Sequence, residues 1–204
     1  MISKIQYITN GASEKEILDE VVAVLDAGID WVQLRIKDES IDFLRIAKKV
    51  KSLCTNKATF IINDKIDITK EVDADGVHLG LEDTPVDEAR RLLGSNKIIG
   101  GTANTIEQAQ MHKDASADYV GMGPYRFTKT KKKLSPILGI EGYATPVASK
   151  FLANFPVVAI GGILTEDIRI LKDKTSVHGV ALSGLIKNSE NQKELVQEIK
   201  EILR

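Results

Sequence analysis

Eight short runs rich in β-branched residues, separated by stretches with the apolar spacing of helices, constrain this chain more than any other feature of it. The runs are Ile5 to Thr9, Trp31 to Arg35, Thr59 to Asn63, Gly76 to Gly80, Ile98 to Thr102, Tyr119 to Gly123, Pro156 to Gly161 and Gly179 to Ser183. After the first, Ile17, Leu18, Val21, Val22 and Leu25 recur at helical intervals across Glu14 to Ala27; after the second, Phe43, Leu44, Ala47 and Val50 do so across Ile41 to Leu53. Strands that are nearly continuous in apolar residues need cover on both faces, which points to a parallel α/β sheet, and eight strand–helix units are the number that closes a (β/α)8 TIM barrel. An open doubly wound sheet is the alternative. No linker or biased tract divides the 204 residues, so one domain spanning 1–204 is expected, near the lower limit for such a barrel. Its loops should be short, except from Pro124 to about Ile140, where Lys129, Lys131, Lys132 and Lys133 gather without a clear periodicity and a functional loop is expected.

The second run continues past its apolar part. In Trp-Val-Gln-Leu-Arg-Ile-Lys, residues Gln33, Arg35 and Lys37 are two apart, so an extended strand would project all three from one face. Burying an unpaired Arg and Lys costs several kcal/mol apiece, roughly, so these cations belong at an open strand end facing a bound anion. The formal net charge of −1 gives no general reason to bind nucleic acid or an anionic membrane, so the anion site must be local. No apolar stretch approaches the ~20 residues of a membrane span, and Met-Ile-Ser-Lys-Ile-Gln lacks the apolar core of a secretory signal, which together predict a cytoplasmic protein. A single cysteine, Cys54, rules out an internal disulfide and reads as a structural thiol.

Active sites of such barrels lie at the C-terminal ends of the strands, and charged and small residues collect there in this sequence. Arg35 and Lys37 follow the second strand, Asn63 and Asp64 the third, Glu82 and Asp83 the fourth, Thr102 and Asn104 the fifth, and a Thr-Lys-Thr-Lys run from Thr128 the sixth. Asp64 and Asp83 follow neighbouring strands, ~5 Å apart, and could hold one magnesium ion whose other positions are filled by water and substrate phosphate. Taken alone, Asp64 is better explained as the cap of a helix starting near Lys65, and Glu82 and Asp83 as solvated loop charges; their common position beside Arg35 shifts the balance toward a metal-bridged polyphosphate. Gly161-Gly162 and Ser183-Gly184, after the seventh and eighth strands, suit a phosphate monoester bound by backbone N–H groups, or else are tight turns. His78, His112 and His178 have no Ser or Cys arranged for nucleophilic catalysis, and Trp31 and Tyr119 read as packing residues.

Over nearly its whole length the sequence resembles the thiamine phosphate synthase family. The resemblance is carried by VQLRIK (Val32 to Lys37), IINDKIDI (Ile61 to Ile68), ADGVHLGLED (Ala74 to Asp83), DYVGMGPYRFTKTK (Asp118 to Lys131) and VVAIGGI (Val157 to Ile163). It implies a (β/α)8 barrel that joins 4-amino-2-methyl-5-hydroxymethylpyrimidine diphosphate to 4-methyl-5-hydroxyethylthiazole phosphate, giving thiamine phosphate and pyrophosphate by a dissociative route. By the same resemblance Gln33, Leu34, Arg35, Ile36 and Lys37 hold the pyrimidine diphosphate, completed by Asn63, Thr102 and Lys131. Asp64 and Asp83 bind Mg2+, while Thr128, Lys129, Thr130, Gly162, Leu182 and Ser183 receive the thiazole phosphate. Arg35, Lys37 and Lys131 are the expected catalytic cations, and a homo-oligomer is implied. Thr102 stands where the family usually has serine, Asn104 where many members have histidine, and Tyr125-Arg126-Phe127 where Ile-Phe-Pro is usual. Two other readings compete: a thiazole or sugar phosphate isomerase, which would have no use for both acids, and a non-catalytic barrel that binds a phosphorylated ligand.

Overall fold

A computed structural model describes residues 2–127 and 136–204. Eight parallel strands close into a barrel in chain order: β1 (Ile5–Ile8), β2 (Trp31–Leu34), β3 (Thr59–Asn63), β4 (Gly76–Leu79), β5 (Ile98–Ala103), β6 (Tyr119–Met122), β7 (Val157–Ile160) and β8 (Gly179–Leu182). Each expected run forms its strand, and β8 returns to β1 through Ile5↔Val180 and Tyr7↔Leu182, which excludes the open sheet. The outer layer comprises α1 (Glu14–Asp26), α2 (Phe43–Cys54), α3 (Ile66–Glu71), α4 (Val86–Leu93), α5 (Ile106–Asp114), α6 (Glu141–Ala144), α7 (Pro146–Leu152), α8 (Thr165–Lys174), α9 (Gly184–Lys187) and α10 (Gln192–Ile202). Several of these helices start at a side chain that accepts from an otherwise unpaired N–H group: Ser13 from Glu16, Asp42 from Arg45 and Thr105 from Gln108.

Alternation along each strand separates two cores. Val32, Leu34, Phe60, Ile62, Val120 and Met122 point outward beneath the helices, whereas Trp31, Ile61, Tyr119, Val158 and Ala181 fill the barrel interior. In β5 the inward positions are Gly100 and Thr102. A methyl group at Gly100 would stand 2.3 Å from Cζ of Tyr119 and 2.6 Å from Nδ1 of His78, so the two large rings occupy the space this strand leaves open. Tyr119 also meets Trp31 edge-on, with ring centroids 4.8 Å apart. At the N-terminal rim, carboxylates tie neighbouring strands together: Asp75 accepts from the Phe60 N–H group at 2.7 Å, and Asp118 from that of Ile99 at 2.7 Å. Among the described residues no helix is long and apolar enough to cross a membrane.

Candidate active site

At the opposite rim the strands release the chain into a cleft of about 710 Å3, within the range of small-molecule sites. Thr9, Asn10, Arg35, Gly162, Ser183 and Gly184 are among its lining residues. Strand β2 ends at Leu34, so Arg35 to Lys37 form a loop instead of continuing an extended face. Gln33 remains inward and buried, Arg35 is half-buried and Lys37 exposed. The Thr9 hydroxyl secures this loop by accepting from the Arg35 N–H group at 2.9 Å and donating to its carbonyl at 3.0 Å. Leu34 and Ile36, expected in the same site, turn their side chains away from the mouth. Leu34 is fully buried and packs outward, and Ile36 packs against the same core, because the pleat turns alternate residues away from the mouth.

Across β3 and β4 the two acids come together. Asp64 does not cap α3, whose N-cap residue is Lys65 and has no side-chain capping bond. It takes a left-handed conformation (φ 66°), donating its N–H to the carbonyl of His78 at 2.8 Å, and its carboxyl hydrogen-bonds with Asp83. Asp83 is itself placed by the Gly80 N–H group at 2.6 Å. Withdrawal of the Asp64 carboxyl from water, then the contact with Asp83 and its negative charge, push the Asp64 pKa up to about 7, opposed by Arg35 and by a hydrogen bond from Asn63. Asp64 is exposed as a residue, and it is the carboxyl end that lies against Asp83. Two carboxyl groups in contact must share a proton or a cation. Among the described residues no third His, Cys, Asp or Glu joins them. An oxygen-only pair of this kind fits a magnesium ion that keeps water and phosphate in its other positions.

Like charges also gather between the loop after β2 and the end of α9. Burial, then Arg35, then Lys187 lower the pKa of Lys37, so three cations lie within electrostatic reach of one another. Lys187, at the end of α9, was not anticipated from the sequence. It pairs with the buried Glu20 of α1 at 2.5 Å and donates to Oδ1 of Asn10 at 3.0 Å. The signal available was a buried acid on an otherwise apolar helix face.

The phosphate-binding expectation falls on a left-handed glycine and a buried hydroxyl. Gly162 has φ 65°, and the buried Oγ of Ser183 has no hydrogen-bond partner among the described residues. Leu182 packs outward at its side chain but lines the cleft through its main chain. Asn104 donates to the Gly123 carbonyl, and its N–H group is accepted by Gln108 at 2.7 Å, so it braces the loop after β5. The Arg126 guanidinium pairs with the buried carboxylate of Asp167, fastening the chain after β6 to α8. Thr128, Lys129, Thr130 and Lys131 lie outside the described residues.

A closed parallel barrel whose C-terminal rim carries an acidic pair, a group of cations and glycine turns has the architecture of a barrel enzyme. A family model described as thiamine monophosphate synthase matches residues 5–186. The chain is 46% identical over 208 residues to a thiamine-phosphate synthase of Flavobacterium johnsoniae, covering 100% of this chain and 97% of that one. It is 46% identical over 204 residues to one of Phocaeicola vulgatus, covering 98% and 96%. Among solved structures, a thiamine phosphate pyrophosphorylase from Pyrococcus furiosus superposes with a TM-score of 0.81 at 30% identity, covering 98% of this chain and 95% of that one. The chain belongs to the thiamine monophosphate synthase family, and its activity is that of a transferase in thiamine biosynthesis.

Proposed function

We propose that this mouth transfers the 4-amino-2-methylpyrimidin-5-ylmethyl group from its diphosphate to 4-methyl-5-(2-phosphooxyethyl)thiazole, with magnesium held by Asp64 and Asp83. The observation that carries this reading is the contact of those two carboxyl groups on the rim that also holds Arg35. Arg35 and Lys37 face the departing diphosphate, and Lys131 is assigned to the same anion on the strength of the family motif. When bound, magnesium would offset charge on the diphosphate oxygens. Gln33, Asn63 and Thr102 hold the pyrimidine so that its methylene carbon points to the thiazole.

The C–O bond breaks with its electron pair going to pyrophosphate, and donation from the aminopyrimidine ring spreads the positive charge left on carbon. The thiazole nitrogen then supplies the pair for the new C–N bond. Its phosphate is anchored by the Gly162 and Ser183 turns, where the Ser183 hydroxyl has no partner among the described residues. Thr128, Lys129 and Thr130 belong to this anchor by their motif. No protein nucleophile takes part, and the work of the side chains is placement and charge stabilisation.

Pyrophosphate release from the two substrates tests the reading directly. Replacing Asp64 with Asn should lower turnover by at least ~100-fold, a loss of a few kcal/mol in transition-state stabilisation, with the thermal midpoint little changed. Turnover near that of the parent protein would reject the metal assignment.

A further inference from the structure

The barrel interior carries a row of polar side chains in which the reaction as described uses only the ends, Gln33 and Thr102, and leaves Gln6, Tyr119 and His78 between them without a task. Gln33 donates from Nε2 to Oε1 of Gln6 at 3.2 Å, and Gln6 donates from Nε2 to the hydroxyl of Tyr119 at 3.0 Å. The Tyr119 oxygen lies 3.0 Å from Nδ1 of His78, and Nε2 of His78 lies 3.0 Å from Oγ1 of Thr102. These groups come from β1, β2, β4, β5 and β6, and they run from the middle of the barrel up to its mouth.

The row has a direction. Each amide uses its NH2 group forward, so the Tyr119 oxygen is an acceptor toward Gln6 and has its single hydrogen left for Nδ1 of His78. An imidazole that accepts at Nδ1 while neutral carries its hydrogen on Nε2, and Nε2 therefore donates to Thr102. Thr102 accepts there and keeps its own hydroxyl hydrogen to give away. Its backbone is clamped from outside, because its carbonyl accepts from Nε2 of His112 at 2.8 Å. The interior makes room for the His78 ring: a methyl at Gly121 would stand 3.2 Å from its Cε1, and at Gly100 2.6 Å from its Nδ1. Half-buried, Thr102 stands at an inward position near the C-terminal end of β5, paired with Gly121 of β6.

We propose that His78 is a positioning residue, the last link of a one-way hydrogen-bond chain that fixes Thr102 as a donor toward an acceptor atom of the bound pyrimidine diphosphate. This rests on the transferase reading above and goes beyond it by assigning a specificity role to the interior of the barrel. The chain favours a ligand that presents a lone pair to Thr102, which gives its one hydroxyl hydrogen an acceptor; a ligand N–H group there would take the second lone pair and leave that hydrogen without one.

Two measurements test it. In full-length protein labelled with 15N-histidine, long-range 1H–15N correlation should show His78 neutral, with Nδ1 bare and Nε2 protonated; the opposite tautomer overturns the proposal. In steady-state pyrophosphate release, His78→Asn and Thr102→Val should each raise KM for the pyrimidine diphosphate about tenfold, the scale of one hydrogen bond, with KM for the thiazole phosphate unchanged. His78→Gln places an amide NH2 where Nε2 stood and should recover KM to within about threefold, as expected for restoring most of one such bond. Equal effects of Asn and Gln, or a parallel rise in both KM values, would show that His78 only packs. If His78 variants do not fold, Thr102→Val against Thr102→Ser gives the same contrast. A parent protein that releases no pyrophosphate would sink the transferase reading alone, since the tautomer needs no substrate to be read.

Discussion

Gly100→Ala is the sharpest test of how this barrel is filled. The added methyl would meet Cζ and Cε1 of Tyr119 at 2.3 and 2.4 Å and Nδ1 of His78 at 2.6 Å. Ordinary carbon contacts are about 3.5–4.0 Å, so the tyrosine ring would have to retreat by more than about 1 Å. It cannot do so freely, because Tyr119 is fully buried, packs on Trp31 and is hydrogen-bonded to Gln6 and His78. Overpacking of this kind costs about 1–3 kcal/mol. Loss of a buried hydrogen bond adds about 1–3 kcal/mol, while replacing glycine in a strand returns roughly 0.5–1 kcal/mol. The expected net loss is about 1–5 kcal/mol, which for a chain of this size lowers the thermal midpoint by about 2–4 °C per kcal/mol. Urea unfolding and calorimetry read the loss, and pyrophosphate release should fall with it because His78 is displaced. A variant within about 0.5 kcal/mol of the parent, the usual limit for a neutral substitution, and fully active would refute the interior arrangement.

Asp118→Ala should be destabilising by about 1–3 kcal/mol, because it leaves the buried Ile99 N–H group without its acceptor and takes the carboxylate from Arg90, which keeps the carbonyls of Gly94, Lys97 and Ser116. Asp118→Asn, which keeps an oxygen for Ile99, should cost less in the same urea titration, and turnover should be spared since this rim is remote from the site. Cys54 is buried, and desolvation, then Asp75, push its thiol up from 9.0 to about 12. The native protein should therefore resist alkylation at pH 8.5 and react fully once unfolded in urea. Between about pH 9 and 12 the unfolded thiol ionises while the folded one stays protonated, so stability should decline as pH rises through that window.

How far the sequence can be read depends on how local the physics is. Barrel closure was legible because each strand advertises itself by β-branched runs and each helix by its spacing. The pairing of Asp64 with Asp83 was legible as well, since both acids follow adjacent strands and parallel register brings strand ends together. What failed was the extension of the β2 face to Lys37: the strand ends at Leu34, and Leu34 and Ile36 turn to the outer core. Lys187 and Asn10, 177 positions apart, meet only because closure sets β8 beside β1, and no short window of sequence contains that fact. The interior row was recoverable in part, because Gln6, Gln33, His78 and Thr102 all stand at inward positions once a strand phase is assigned. Its direction was not, since that depends on which end of each amide faces its neighbour.

The two rims of the barrel use the same residue types in opposite ways. At the N-terminal rim each carboxylate meets an unlike group, as where Asp118 takes both a backbone N–H and Arg90, or Asp75 takes Phe60 N–H and Lys51. At the C-terminal rim like also meets like: Asp64 lies against Asp83, and Lys37 feels the charges of both Arg35 and Lys187, even though Lys187 is paired with Glu20. Like-charge contacts of that sort oppose folding, so they are retained only where something else compensates for them. A divalent cation between the acids and a polyanion among the bases would relieve both at once, and whatever binds the folded chain and not the unfolded one stabilises it by mass action. On the proposed reading the like charges at the mouth would be the mirror image of its ligands, a cation for the acids and a diphosphate for the bases.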